Sequence, residues 1–292
     1  MIIQTLTTCH NRKNKTLASL GDLHQQDLPD DVVLRHTLVD DGSFDGTFAA
    51  VRDQFPDVEI IRGDGGLFWA GGMRHGWEKA VKHKYFDYLF VYNDDVRLKH
   101  QALHHLLATS KKFIAKNGNP AHAIIGSFSD SSGIKTTYSG ALKTTSWHPF
   151  RVKRIEPPET GYTLVDTMNM NGALISLSAL SEVGFLSDFF IHSGADFEYG
   201  LKLNNAGGNV LLAAGHIGIC DRNSTQGTEL ETGISLIEGY KRLLSVKGQP
   251  PIQRLRYCKK YAPWIWPIIW ASPYIQHPIR HIQKTIIPKY TR

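Results

Sequence analysis

Short apolar runs alternate with helical patterns through the first third of the chain. The β-rich runs occupy residues 2–8, 32–39, 58–61 and 88–92. Between them, apolar side chains recur at roughly helical spacing over residues 14–28, 48–55 and 73–83. Strands that alternate with helices in this way are typical of right-handed βαβ units. The pattern predicts an α/β fold with a mostly parallel central sheet flanked by helices.

The pattern is less regular after Val96. We predict a helix over 99–116, a strand over 122–128 and a loop-rich excursion over 129–160. A second ordered block follows, with strands at 163–166 and 210–214 and a short helix at 178–183. Ser193 precedes an acidic turn, which predicts that a further helix begins there.

Polar side chains follow each of the first four predicted strands. Residues 9–12 follow the first, Asp40 and Asp41 end the second, glycines crowd 63–72 after the third, and residues 93–95 follow the fourth. In open α/β sheets, ligands bind beyond the carboxyl ends of the strands, so one crevice can collect all four clusters. The glycines do not fit GxGxxG, because Phe68 holds the third glycine position, and a dinucleotide site is therefore disfavoured.

Asp94 and Asp95 are adjacent carboxylates at the end of a predicted buried strand. Two such groups repel each other unless a cation or a proton lies with them. Oxygen ligands suit Mg2+ or Mn2+, which also bind phosphate oxygens. The alternative is an Asn-Asp turn whose carboxylates are simply solvated.

Charge divides the chain into an acidic body and a basic tail. Of the 33 Lys and Arg residues, eleven lie after Glu238, where there is no Asp or Glu, which leaves 22 basic against 27 acidic residues before that point. Residues 257–275 of the tail also carry three of the six tryptophans. This apolar part is too short and proline-interrupted to span a bilayer, which needs about 20 residues.

Trp and Tyr beside basic residues favour lipid headgroups. We therefore expect residues 257–292 to contact an anionic membrane. The alternative is a helical pair that packs on the body or on a second copy of the chain. Nucleic acid is not expected as a partner, because the tail matches none of the known binding motifs. Scattered free cysteines and the lack of a signal peptide predict a cytoplasmic protein, peripheral on the inner face of the plasma membrane.

Four clusters, in their order and spacing, resemble the family 2 glycosyltransferases of the GT-A fold. They are residues 7–12, 39–47, 93–95 and 194–199, and residues 67–74 are similar to a segment of the rhamnosyltransferase-like branch. The resemblance covers roughly residues 1–225. It implies the GT-A fold, a nucleotide-diphosphate sugar donor (UDP- or dTDP-linked), Mg2+ or Mn2+, and inversion of the anomeric configuration.

The resemblance also implies roles for individual residues. Asp95 would hold the divalent ion, and Asp196 would be the general base that removes the acceptor proton. A second metal ligand would be Asp221 or, as the second candidate, His216. The residues implied at the nucleotide sugar are Thr7, Thr8, Asn11, Arg12, Asp40, Asp41, Gly65, Trp69, Arg74, Asn93, Asp94, Asn171 and Gly172.

Several of these residues have a structural role as the alternative to ligand binding. Asp40 and Asp41 precede a Gly-Ser pair and can cap a turn or the next helix. Glu198 is an alternative base to Asp196, and Trp69 belongs equally well to the core or to a sugar platform. The alternative for Asn171 and Gly172 is a tight turn without a role in binding the donor.

The sequence thus predicts an inverting, metal-dependent hexosyl- or deoxyhexosyltransferase. Its acceptor would be a growing polysaccharide or a lipid-linked glycan of the O-antigen type. A sugar-nucleotide pyrophosphorylase shares the sheet, but it would need a glycine-rich basic loop after the first strand. The third hypothesis is that the protein is an inactive membrane-bound scaffold with the same fold. We divide the chain into a catalytic domain, 1–238, with a nucleotide half (1–98) and an acceptor half (99–238), and a helical C-terminal extension, 239–292.

Overall fold

The chain divides into two compact units. The computed structural model describes the backbone of residues 1–290 and the side chains of residues 1–283. The first unit, here the sheet unit, comprises Met1–Leu142 and Val152–Arg222, and the second, the C-terminal unit, comprises Lys143–Arg151 and the described residues from Asn223 onward. The division therefore follows Arg222 rather than residue 238, and it takes part of the loop-rich excursion into the second unit.

The strands lie close to their predicted positions. They are β1 (Ile2–Cys9), β2 (Val33–Asp40), β3 (Glu59–Arg62), β4 (Tyr88–Tyr92), β5 (Arg97–Leu98), β6 (His122–Ser129), β7 (Thr136–Tyr138), β8 (Ala141–Lys143), β9 (Val152–Arg154), β10 (Tyr162–Val165), β11 (Gly172–Ser176) and β12 (Asn209–Ile219). The predicted loop-rich excursion contains the short strands β7, β8 and β9, and β12 is longer at its carboxyl end than we predicted.

Helices connect these strands and form the C-terminal unit. They are α1 (Lys13–His24), α2 (Thr47–Gln54), α3 (Phe68–Gly76), α4 (Ala102–Asn117), α5 (Leu177–Val183), α6 (Ala195–Asn205), α7 (Leu236–Leu244), α8 (Pro251–Tyr261) and α9 (Trp266–Tyr290). A π-helical turn, Trp77–Val81, continues α3. Among the described residues, no helix is both long enough and apolar enough to cross a bilayer.

The main sheet is mostly parallel, as predicted. Its strand order is β10-β12-β6-β11-β4-β1-β2-β3. The pairs from β4 to β3 are parallel, as is β12 with β6, whereas β11 and β10 run antiparallel to their neighbours. Strand β11 therefore begins at the same edge at which β4 ends, so both can contribute residues to one crevice.

The core of the sheet unit lies where β4, β11 and β6 meet. Leu174 pairs with Phe90 on one side and with Ile124 on the other, and all three side chains are fully buried. Leu103 and Leu106 of α4 belong to the same apolar cluster. Burying a side chain of this size stabilises the fold by about 1.5–3 kcal/mol, which holds the strand ends in fixed positions.

Helix α3 begins five residues before its predicted start at Met73. The prediction was late because Gly71 and Gly72 are poor helix formers. In the structure these small residues allow close packing, since a Cβ atom at Gly72 would lie 2.4 Å from the Thr8 hydroxyl and one at Gly76 would lie 2.6 Å from Val39. Helix α6 begins after Gly194, whose φ of 94° favours glycine, and not at Ser193.

Helix α9 is continuous although prolines lie inside it. Proline has no N–H, so Pro273 and Pro278 leave the carbonyls of Ile269 and Tyr274 without their usual intrahelical donors. Side chains of the C-terminal unit replace those donors. Arg254 of α8 donates to Ile269 O at 2.6 Å, and the Tyr240 hydroxyl of α7 donates to Tyr274 O at 2.8 Å. The sequence predicts that prolines interrupt this apolar segment. In the structure the helix continues, because side chains of α8 and α7 donate hydrogen bonds to both freed carbonyls.

The substitution Tyr240→Phe tests this compensation. It leaves Tyr274 O without a donor and should lower the free energy of unfolding by about 1 kcal/mol. In a Pro278→Ala background, residue 278 regains an N–H that can bond Tyr274 O, so the cost should nearly vanish. Urea unfolding of the four proteins gives the coupling. In a Pro273→Ala background the cost should persist, because that proline frees a different carbonyl; equal costs in all backgrounds would contradict the explanation.

Candidate active site

The carboxyl ends of β1, β2 and β4 lie side by side. Strand β1 sits between the other two, with Cys9 opposite Asp40 and Leu6 opposite Val91. The first residue of β11, Gly172, lies opposite Tyr92, and Asn93 N donates to Asn171 O at 3.3 Å. One edge of the sheet therefore brings together residues from four segments that are distant in sequence.

Arg12 joins the two adjacent carboxylates at this edge. Its Nη1 lies 3.1 Å from Asp94 Oδ1 and 3.0 Å from Asp95 Oδ2. Both carboxylates are buried, and Asp94 Oδ2 has no hydrogen-bond partner among the described residues. Burial raises the pKa of Asp94 to about 6, in spite of the opposing charge of Arg12. This edge therefore carries more buried negative charge than its own arginine neutralises.

The Cys220 thiol is the third group at the pair. Its Sγ lies 3.8 Å from Asp95 Oδ1, and Asn171 Nδ2 donates to the same sulfur at 3.6 Å. The longer β12 carries Cys220 to this edge. Burial, followed by the charge of Asp95, raises the pKa of the thiol to about 12.

The two residues predicted as second metal ligands make other contacts. Asp221 is exposed, and its Oδ1 accepts from Ser131 N at 2.9 Å. His216 Nε2 lies 2.8 Å from the Thr136 hydroxyl. Neither of these contacts involves Asp95, beside which Cys220 Sγ lies instead. The metal-binding roles of Asp221 and His216 stay predictions.

Asp41 organises the glycine loop that follows β3. Its carboxylate accepts from the backbone N–H of Gly65 at 2.9 Å, Leu67 at 3.0 Å and Phe68 at 3.1 Å. The last two N–H groups open α3, where no intrahelical acceptor is available. Both oxygens of Asp41 are thus used within the protein, which supports the capping alternative for this residue.

Asp40 differs from its neighbour. Its Oδ1 accepts from Ser43 N at 2.9 Å, whereas its Oδ2 is buried with no partner among the described residues. Of the two carboxylates at the end of β2, only Asp40 keeps an oxygen that the protein does not use.

The loop after β1 is tied to the loop after β2. Asn11 has a positive φ of 51°, and its side-chain oxygen accepts from Phe44 N at 2.9 Å. Thr8 donates to Val39 O at 3.2 Å, while the buried Thr7 hydroxyl has no partner among the described side chains and backbone. These bonds fix the loop that carries Arg12.

Trp69 and Arg74, two residues predicted at the nucleotide sugar, form hydrogen bonds that position other groups of the site. Trp69 Nε1 donates to Asn93 Oδ1 at 2.9 Å, so the indole orients the first residue of the acidic cluster. Arg74 donates to the carbonyls of Ser187 and Phe190, which ties α3 to the loop before α6.

Asp196 lies in the first turn of α6. Its Oδ2 accepts from Asn169 Nδ2 at 3.2 Å, and its Oδ1 accepts from Phe197 N at 2.9 Å. Burial raises the pKa of this carboxyl, although both hydrogen bonds oppose the rise. Glu198, the alternative base, is fully buried and accepts from the Ser187 hydroxyl at 2.9 Å. Because Asp196 remains partly exposed, it is the better placed of the two to receive a proton.

One short segment links Asp196 to the carboxylate pair. Asn169 bonds Asp196, and Asn171, two residues further on, bonds the thiol beside Asp95. Two residues span at most about 7 Å of chain. The acidic group of α6 and the cluster at β4 therefore belong to one site.

A family model gives an independent result. The model described as glycosyl transferase family 2 matches residues 5–170, which is more than half of the chain. The chain belongs to glycosyltransferase family 2. The matched segment includes Arg12, Asp94 and Asp95, whereas Asp196 and Cys220 lie beyond it.

Solved structures agree on the fold. The mannosyltransferase PcManGT of Pyrobaculum calidifontis, in complex with GDP-Man and Mn2+, superposes with a TM-score of 0.54 at 16% identity, covering 96% of this chain and 71% of that one. The S. aureus TarS 1-349 structure gives a TM-score of 0.50 at 13% identity, covering 87% and 69%. The architecture is the GT-A fold of glycosyltransferases. The comparison with curated proteins gives no match.

The sequence missed Cys220 and Asn169 as site residues. Free cysteines are among the most buried residue types, so the sequence alone favours a packing role for Cys220, and only its place at the end of a strand indicates otherwise. Asn169 lies in a polar-apolar run beside Asn171, where nothing local separates a site residue from a turn residue.

The buried Asp94 should make the metal-free protein less stable as the pH rises from about 4 to about 6. In this window the native state holds the proton that the unfolded chain releases, so the free energy of unfolding falls by up to about 3 kcal/mol. Chemical unfolding with a chelator present measures the slope. Asp94→Asn should remove this component, and an unchanged slope in that variant would contradict the assignment.

Proposed function

We propose that this glycosyltransferase is inverting and metal-dependent, and that it moves a sugar from a nucleotide-diphosphate donor to a growing polysaccharide or a lipid-linked glycan. The observation that carries the proposal is the continuous site from Arg12 and Asp95 to Asp196. An excess of buried negative charge lies at one end, and a carboxylate with a raised pKa lies at the other.

The residues at the strand ends fit a divalent cation. Asp94 has a buried oxygen without a hydrogen-bond partner among the described residues, and Asp95 and Cys220 offer an oxygen and a sulfur beside it. We propose these three as the metal-holding residues, with Mn2+ favoured over Mg2+ because the sulfur is a soft donor. The bound ion would neutralise the charge of the departing diphosphate.

Asp196 would act as the general base. Its carboxylate would take the proton from an acceptor hydroxyl, and that oxygen would form a bond to the anomeric carbon as the bond from this carbon to the diphosphate oxygen breaks. The attack comes from the face opposite the leaving group, so the anomeric configuration inverts. Desolvation raises the basicity of Asp196, which suits proton removal near neutral pH.

The donor is proposed to be UDP- or dTDP-linked. Support comes from residues 67–74, which are similar to a segment of the rhamnosyltransferase-like branch. The mannosyltransferase neighbour holds GDP-Man, so a GDP-linked sugar is the contrasting outcome. A thermal-shift screen of UDP-, dTDP- and GDP-sugars with Mn2+ distinguishes them, since a ligand that binds the native state raises its melting temperature.

Two substitutions separate the roles of the carboxylates. Asp196→Asn should lower sugar transfer by about 10²- to 10⁴-fold while donor binding with Mn2+ stays within a few-fold of the parent. Asp95→Asn should weaken Mn2+-dependent donor binding and transfer together. Isothermal calorimetry measures binding, and radiolabelled sugar incorporation measures transfer. Glu182→Gln, an exposed charge on α5, is the control.

Full transfer by the Asp196→Asn protein would contradict the base assignment. Donor binding by Asp95→Asn that remains equal to the parent would contradict the metal assignment. Diphosphate exchange with a nucleoside triphosphate and a sugar phosphate, in the absence of sugar transfer, would instead indicate the pyrophosphorylase reading.

We further propose that the protein is peripheral on the inner face of the plasma membrane. Helix α9 carries exposed Ile268, Ile275, Ile279 and Ile282 at spacings of seven, four and three, which places them on one helix face. Ile269 and His277, on the other side, are buried. Exposed Arg256, Lys259, Lys260 and Arg280 supply positive charge in the same unit. An apolar stripe flanked by cations suits an anionic lipid surface.

Sedimentation with vesicles tests the membrane contact. The full chain should bind vesicles rich in phosphatidylglycerol more tightly than phosphatidylcholine vesicles, and less so at high salt. Ile268→Ser with Ile275→Ser should weaken this binding by at least about tenfold, because two exposed isoleucines that would enter the lipid surface are lost. Ile134→Ser, an equally exposed isoleucine of the sheet unit, is the control. Vesicle binding that is unchanged in the double variant would contradict the proposal. So would a parent protein that is a dimer in solution and a double variant that is a monomer, because the isoleucines would then form a protein interface.

A further inference from the structure

A second cluster of metal-binding side chains lies away from the strand ends. His24 ends α1, His36 lies in the first half of β2, and Asp57 precedes β3. The candidate ligand atoms of these three residues lie within 4.8 Å of one another. His36 is four residues from Asp40, which corresponds to about 13 Å along a strand. The cluster is therefore separate from the active-site carboxylates.

The hydrogen bonds of His24 leave its second nitrogen facing a carboxylate. Nδ1 lies 2.8 Å from Leu20 O, and a carbonyl can only accept, so Nδ1 carries a proton. Nε2 lies 3.1 Å from both Asp57 oxygens. A neutral imidazole would then point a lone pair at an anion, which requires a cation or a further proton between them.

His36 has a similar arrangement. Its Nδ1 lies 3.2 Å from the Thr5 hydroxyl, and its Nε2 lies 4.0 Å from Asp57 Oδ2. Metal-ligating histidines commonly have one ring nitrogen bonded to a protein oxygen and the other directed at the ion. In both His24 and His36, Nδ1 lies at a protein oxygen and Nε2 faces Asp57.

We propose that His24, His36 and Asp57 bind a divalent transition metal of the zinc class. Two imidazole nitrogens and a carboxylate oxygen form a donor set that suits Zn2+, with solvent as the fourth ligand because Asp57 is exposed. The two rings stack with centroids 4.4 Å apart and planes tilted by 28°.

Such an ion would join three separate segments of the sheet unit. It would tie the end of α1 to β2 and to the turn between α2 and β3, where β3 is the last strand of the main sheet. Since the ligands come together only in the folded chain, binding should stabilise the native state as the free ion concentration exceeds the dissociation constant. The contrasting arrangement is an imidazolium–carboxylate pair between His24 and Asp57 without a metal.

Equilibrium dialysis of the full chain against Zn2+, with excess Mg2+ present, tests the site. His24→Gln and Asp57→Asn should each bind one Zn2+ per chain fewer than the parent, and the rise in melting temperature caused by Zn2+ should fall in both. His104→Gln and Asp53→Asn, which are exposed residues outside the cluster, should bind as the parent does. Sugar transfer should be unchanged in all four variants, because none of these residues lies at the strand ends.

Co2+ gives a second readout that does not depend on stoichiometry. The parent should show the visible absorption of tetrahedral Co2+, and His24→Gln and Asp57→Asn should lose that intensity. Equal Zn2+ binding by the parent and both variants would overturn the proposal. The proposal would also be overturned if the variants lose the same thermal stability with and without Zn2+, because the loss of a His24–Asp57 ion pair alone explains that result.

Discussion

The burial of carboxylates at one edge of the sheet is the constraint on which the site depends. Strand β4 leads directly into Asp94 and Asp95, and burial there disfavours the charged form of Asp94, a cost that Arg12 offsets only in part. A fold keeps such charge only if the packed strands around it supply enough stability. The apolar core at Phe90, Leu174 and Ile124 lies directly behind this edge and supplies that support.

A second layer of interactions, all of them hydrogen bonds within the protein, holds the site in shape. Asp41 binds three backbone N–H groups of the glycine loop, Trp69 orients Asn93, and Arg74 holds the loop before α6. All three were predicted at the nucleotide sugar. Their position in sequence, beside the strand ends, was the same as that of a ligand-binding residue. Only the direction of each side chain separates the two roles, and sequence spacing does not specify it.

The fold was largely predictable because its signals are local. The period of the apolar residues distinguished strands from helices, and the first four strands lie within a residue or so of their predicted limits. Predictions were wrong where a tertiary contact replaced a local preference. Helix α3 begins early because Asp41 caps it from another strand, and α9 continues through prolines because Arg254 and Tyr240 bond the freed carbonyls.

The place beside Asp95 illustrates the same limit in the site itself. The resemblance to the family placed the second metal ligand after the strand that follows the acidic helix, with Asp221 as the first candidate and His216 as the second. In the structure the Cys220 thiol is the group beside Asp95, because the irregular pairing of β12 between residues 212 and 218 and its length set which side chain reaches the carboxylates. A thiol there adds a soft donor to a hard site. The choice of metal would therefore depend on strand geometry as much as on the acidic motif that marks the family.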